Sequence, residues 1–124
     1  MGIFSKKGLG FEKIELSKSK ITSDKTATIK VNVKNFKEKF DNIVLKTKTD
    51  DANNQYLTIN TPSLQLPSLD FPNRNTGGHE ITISPHNIPV SKMSFKITVE
   101  VYANNSEKPM LKKEFDLTVN KKQN

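Results

Sequence analysis

From Ala27 to Val33 the odd positions read Ala27, Ile29, Val31 and Val33, with only Thr, Lys and Asn between them. From Phe95 to Val101 they read Phe95, Ile97, Val99 and Val101, separated by Lys, Thr and Glu. A period of two sends alternate side chains to opposite sides of an extended backbone, so each stretch asks for a sheet with one dry face and one wet face. The β-branched residues that fill both stretches lose rotamer freedom in a helix and pack well on a pleated surface.

At 124 residues the chain is long enough for one domain with one core. Its hydrophobic content is 33% against 27% charged residues, and its mean hydropathy is −0.62. A thin core under a wet surface suits an antiparallel sandwich, because one face of every strand stays polar. The absence of cysteine excludes a disulfide framework and a thiolate metal site. No run approaches the ~18 apolar residues of a membrane helix. The first ten residues, MGIFSKKGLG, lack the apolar stretch of a signal peptide, which makes the cytoplasm the expected compartment.

Turn signals recur along the chain and divide it into short strands. We expect strands over residues 11–16, 26–35, 42–49, 55–60, 64–66, 80–84, 93–103 and 111–119. Asp50-Asp51-Ala52-Asn53-Asn54 reads as a hairpin turn, and Asn104-Asn105-Ser106-Glu107 with Pro109 as another. Five of the six prolines (Pro62, Pro67, Pro72, Pro85 and Pro89) fall between residues 61 and 90. Proline cannot donate to a ladder, so strands in this region should be short and lie at sheet edges. The expected fold is all-β, an antiparallel two-sheet immunoglobulin-like sandwich of seven to eight strands spanning residues 11–120. A flexible basic segment (1–10) precedes it and a polar tail (121–124) follows.

The segment TATIKVNVKNF (26–36), ending in Val33-Lys34-Asn35, and the later SFKITVEVYANNS (94–106), with Thr98-Val99-Glu100-Val101, resemble the immunoglobulin-like domains of the CARDB class. That resemblance implies the sandwich fold and an adhesive or scaffolding role, and it brings no catalytic residue with it. The family commonly places a glycine after the strand's asparagine, whereas here Phe36 and Lys37 follow Asn35.

The net charge of +7 comes from 19 lysines and one arginine, Arg74. Such a balance points towards anionic partners, but arginine, the residue suited to bidentate phosphate and base contacts, is nearly absent. The 13 asparagines beside the lysines read as compositional bias. On the strand at 26–35 the outward positions include Lys30 and Lys34, with Lys13, Lys18 and Lys20 near them and Lys37 and Lys39 just beyond. Lys30, Lys34, Lys37 and Lys39 form a candidate anion-binding stripe, without the exposed aromatics on which single-stranded nucleic acid stacks. The same lysines also serve as edge protection.

Chemistry-bearing constellations are sparse. His79 and His86 sit at opposite ends of one expected strand, too far apart for a shared metal. The Asp50 loop lacks the glycine and the bidentate Glu of an EF-hand. No Gly-x-Ser-x-Gly is present, and Glu100, Glu114 and Asp116 have Lys46, Lys48 and Lys96 as natural partners on one outer sheet face. No enzyme activity, cofactor or metal is expected, nor a small-molecule substrate. Leu64, Leu66, Leu69 and Phe71, in the proline-broken middle, form a candidate partner-docking edge. The reading that follows is a non-enzymatic protein–protein interaction or scaffolding domain, bound to another protein or to a second copy of itself. The alternative is a lysine-rich module that binds an anionic polymer or a membrane surface.

Overall fold

The computed structural model describes residues 8–51 and 55–122. Nine strands fill these residues, with no helix among them: β1 (Leu9–Leu16), β2 (Lys20–Thr22), β3 (Ala27–Asn35), β4 (Ile43–Thr49), β5 (Leu57–Ile59), β6 (Ser63–Leu66), β7 (His79–Pro85), β8 (Lys92–Tyr102) and β9 (Leu111–Asn120). They form a four-stranded sheet in the order β1-β3-β7-β5 and a five-stranded sheet in the order β2-β9-β8-β4-β6. This is the two-sheet all-β sandwich that the period-two stretches demand. Ala27, Ile29, Val31 and Val33 of β3 lie in the same buried cluster as Phe95, Ile97, Val99 and Val101 of β8.

Several expectations need correction. The ninth strand is β2, which pairs with the end of β9 in parallel, so the sandwich is not wholly antiparallel. Its three residues are too few for a period to show. β1 begins at Leu9, ahead of the expected residue 11, because Leu9 is fully buried and pairs with Asn35. Residues 1–7 of the amino-terminal segment lie outside the described residues. β7 is not an edge strand: it sits between β3 and β5, and its proline, Pro85, is tolerated as its last residue. The loop at Asp50 is not a hairpin, since β4 and β5 belong to different sheets. Only the β8–β9 hairpin keeps the chain within one sheet, and every other connection crosses the sandwich.

Five asparagines, Asn42, Asn73, Asn87, Asn104 and Asn105, hold positive φ. Asparagine enters the left-handed region more readily than most residues. Part of the asparagine excess therefore has a conformational use.

The long connection at residues 67–78 is stitched to the end of β3. Asn35 is fully buried. Its side-chain amide donates to the Glu38 carbonyl at 2.6 Å and the Phe71 carbonyl at 2.9 Å. Its side-chain oxygen accepts from the Arg74 N–H at 2.8 Å. Nearby, Phe40 and Leu69 exchange backbone hydrogen bonds, and the Thr76 hydroxyl accepts from the Val33 N–H. The Thr47 hydroxyl, also buried, has no partner among the described residues. These two polar side chains should respond oppositely to removal. Asn35→Ala removes three hydrogen bonds of a buried side chain and should cost about 2–4 kcal/mol in urea unfolding. Thr47→Val removes an unpaired hydroxyl and should stabilise by about 1 kcal/mol.

Candidate functional site

The proposed docking edge does not survive as one surface. In the β4–β6 register Leu64 opposes Leu45 and Leu66 opposes Ile43, so both leucines point into the sandwich. Leu66 is 3% exposed and Leu69 1%, and Leu64 is half-buried. Pairing of β6 with β4 and the Phe40–Leu69 bridge hold the segment over the core. Phe71 alone is exposed, at 63%, with the Arg74 guanidinium 5.8 Å from its ring centroid. Sequence could not separate them, since all four are apolar residues spaced two or three apart.

The lysine stripe is placed on the outer face of β3 but is countered by acids. β3 lies between β1 and β7, and Lys30 stands in register with Glu15 on one side and Glu80 on the other. Lys34 reaches Glu12 at 3.6 Å and lies over the Phe36 ring, while Lys13 pairs with Glu15 at 3.3 Å. Lys37 and Lys39 flank Glu38 on the exposed β3–β4 connection. Alternating lysine and glutamate on adjacent strands makes this a mixed-charge surface rather than a strong positive field.

The outer face of the other sheet follows the same rule. Lys96 pairs with Asp116 at 3.6 Å. Glu100, only 7% exposed, pairs with Lys48 at 3.3 Å and accepts from the Tyr102 hydroxyl at 3.2 Å. Partial burial of Tyr102, followed by this bond to a carboxylate, raises its pKa above the ordinary value. Neighbours bound this firmly are a structural cluster.

No group of three metal-ligating side chains occurs among the described residues. The Asp51 carboxylate, a cation-loop candidate by type, accepts the backbone N–H groups of Gln55, Tyr56 and Leu57. Desolvation opposes its ionisation, but those three bonds prevail and hold its pKa below the ordinary value. Asp51 thus anchors the start of β5.

A feature that no single-residue motif could signal is the free edge of β9. The Thr118 N–H donates to the Ser19 carbonyl and the Asn120 carbonyl accepts from Ser23, so even-numbered residues of β9 turn their backbone groups away from β8. β2 covers only Thr118, Val119 and Asn120. The backbone groups of Lys112, Glu114 and Asp116 therefore have no strand partner among the described residues. The other edges are blunted. β5 and β6 have three and four residues, and β1 carries a bulge between Phe11 and Lys13. Half-buried apolar side chains border the gap: Phe11, Ile14 and Leu16 on β1, and Phe115 on β9.

No known sequence family matches the chain, and no curated protein sequence does. Solved structures share its fold. The CARDB domain of a Pyrococcus furiosus protein, solved in complex with di-metal ions, aligns with a TM-score of 0.52 and 16% identity, covering 95% of this chain and 97% of that one. The periplasmic chaperone SfaE gives a TM-score of 0.57 at 10% identity, covering 90% of this chain and 58% of that one. The chaperone YadV gives 0.55 at 15%, covering 89% and 52%. The chain thus spans little more than half the length of either chaperone. These likenesses define an immunoglobulin-like β-sandwich. The CARDB resemblance read from residues 26–36 and 94–106 is matched at the level of the fold.

Two outcomes follow from these placements. Leu66→Ala and Leu69→Ala should each cost about 2–5 kcal/mol in chemical denaturation, whereas Phe71→Ala should stay within about 0.5 kcal/mol. At the β2–β3 turn, the Thr22 hydroxyl bond and then the Lys122 ammonium hold the Asp24 carboxyl at about 2, below its ordinary 3.8. A folded pKa below the unfolded one contributes stability that is present above the ordinary value and lost as pH falls through about 2. In an NMR titration, Thr22→Val should raise the Asp24 pKa more than Lys122→Gln does, and the reverse order would refute this assignment.

Proposed function

We propose that this protein is a non-enzymatic interaction domain that binds an extended segment of a partner protein by strand addition to the free edge of β9. The observation that carries this reading is the open run at Lys112, Glu114 and Asp116. Among the described residues it is the longest backbone edge left without a strand, a bulge or a proline. A strand laid there would gain main-chain hydrogen bonds, and its inward side chains would extend the apolar layer that ends at Phe115. The charged side chains of Lys112, Glu114 and Asp116 guard the edge against indiscriminate pairing and give a partner a charge pattern to match. Two of the structural neighbours are chaperones, which supports a role in handling other polypeptides. The acids facing Lys30 and Lys34 weigh against the alternative of a broad anionic-polymer surface.

Glu114→Pro tests the proposal, because it removes a solvent-facing N–H while leaving the β8–β9 ladder intact. Proteins retained by the wild type from native lysate at low and high salt should be lost on the Glu114→Pro variant. They should persist on Lys30→Gln/Lys34→Gln. Unchanged thermal unfolding confirms that the proline is tolerated. Retention that depends on Lys30 and Lys34 and disappears in salt would overturn strand addition in favour of charge.

A further inference from the structure

At the end of the sandwich where β2 meets β9, a cavity of about 480 Å³ opens between the β1–β2 and β2–β3 connections. Lys18, Lys20 and Lys25 line it, together with the hydroxyl-bearing Ser17, Thr22 and Thr26, and no carboxylate does. Five other lysines, Lys13, Lys34, Lys48, Lys96 and Lys122, take part in ion pairs. None of the ion pairs among the described residues engages Lys18, Lys20 or Lys25. Of the nearest acids in sequence, Glu15 pairs with Lys13, and Asp24 is held by Lys122 at 3.0 Å and by the Thr22 hydroxyl. Three like charges lining one concavity repel each other and add to a local positive potential.

We infer that this cavity binds a phosphate-bearing ligand carrying at least two negative charges, such as a phosphomonoester or a diphosphate. A lone carboxylate would leave most of the positive charge unanswered. Lysine is an effective phosphate ligand as a point charge, without the planar geometry of arginine. Hydroxyl donors complete the set. Ser17 Oγ accepts from the Thr28 N–H at 2.9 Å, which leaves its own proton free to donate. The Thr26 hydroxyl makes no hydrogen bond among the described residues. Thr22 spends its proton on Asp24 and offers only lone pairs. Ile21, buried beside these groups, gives the cavity one apolar wall. The site is independent of the β9 edge and stands or falls separately.

Titration of the isotopically labelled full chain with inorganic pyrophosphate tests this. Backbone amides at residues 17–26 and Asn120 should shift saturably. Lys18→Gln/Lys20→Gln/Lys25→Gln should weaken binding by about tenfold or more, given the strength of charge-assisted hydrogen bonds. Lys96→Gln should leave binding unchanged, because that lysine belongs to a paired surface. Sedimentation with phosphatidylcholine vesicles containing phosphatidic acid separates the two sources. Capture lost in the triple variant assigns a lipid headgroup, and pyrophosphate binding without capture assigns a soluble ligand. Shifts scattered over lysines throughout the chain, equal binding by the triple variant, or no binding in either arm would overturn the inference. Thermal unfolding of the triple variant should match the wild type, since the three side chains are exposed and outside any ion pair.

Discussion

An interior kept dry by two sheets must still satisfy every backbone group that passes its ends, and this chain passes them at nearly every connection. Asn35 meets that requirement at one pole. Its buried amide gathers the carbonyls of Glu38 and Phe71 and the N–H of Arg74, so that the connection is tied to the end of β3. With that pole fixed, Phe40 and Leu69 bond across the end of the core and close it. Asp51 plays the matching part where β4 hands over to β5, fixing three N–H groups with one carboxylate. The apolar layer is the driving force, but these polar anchors decide how the connections lie upon it.

Satisfying the ends leaves the sides. A two-sheet sandwich has four lateral edges, and each must be short, irregular, guarded or occupied. Here β5 and β6 are short, β1 is bulged, and β9 is covered by β2 only near its last residues. Along β9, ahead of Thr118, the fold leaves backbone capacity unused among the described residues. The distribution of charge obeys a parallel logic. Acids stand in register with Lys30 and pair with Lys34, Lys48 and Lys96 on the sheet faces, while Lys18, Lys20 and Lys25 at the β2 pole enter no ion pair among the described residues.

Legibility tracked the range of the interaction behind each feature. The alternation in β3 is local and shows in its burial, whereas on β8 the outward Thr98 and Glu100 are covered as well as the inward residues. The expected outer-face pairing of lysines with Glu100 and Asp116 also held, because it follows from phase alone. Leu64, Leu66, Leu69 and Phe71 were indistinguishable in sequence, since Leu64 and Leu66 are turned inward by pairing with β4 and Leu69 and Phe71 are placed by a loop that folds back on β3 through Asn35. Lys18 and Lys20 looked like an extension of the Lys30 stripe. Only the register of β1, β3 and β7 set acids against that stripe and none against the pole.

By itself the sequence determined that the chain forms strands with one dry face, that these number enough for two layers, and that no thiol chemistry takes part. Those properties reside in single residues and their immediate spacing. The tertiary structure alone decided which edge stays open, which leucines disappear into the core and which lysines lack a counter-charge. Each of those depends on the neighbour supplied by another strand, and neighbours arise only when the sheets close.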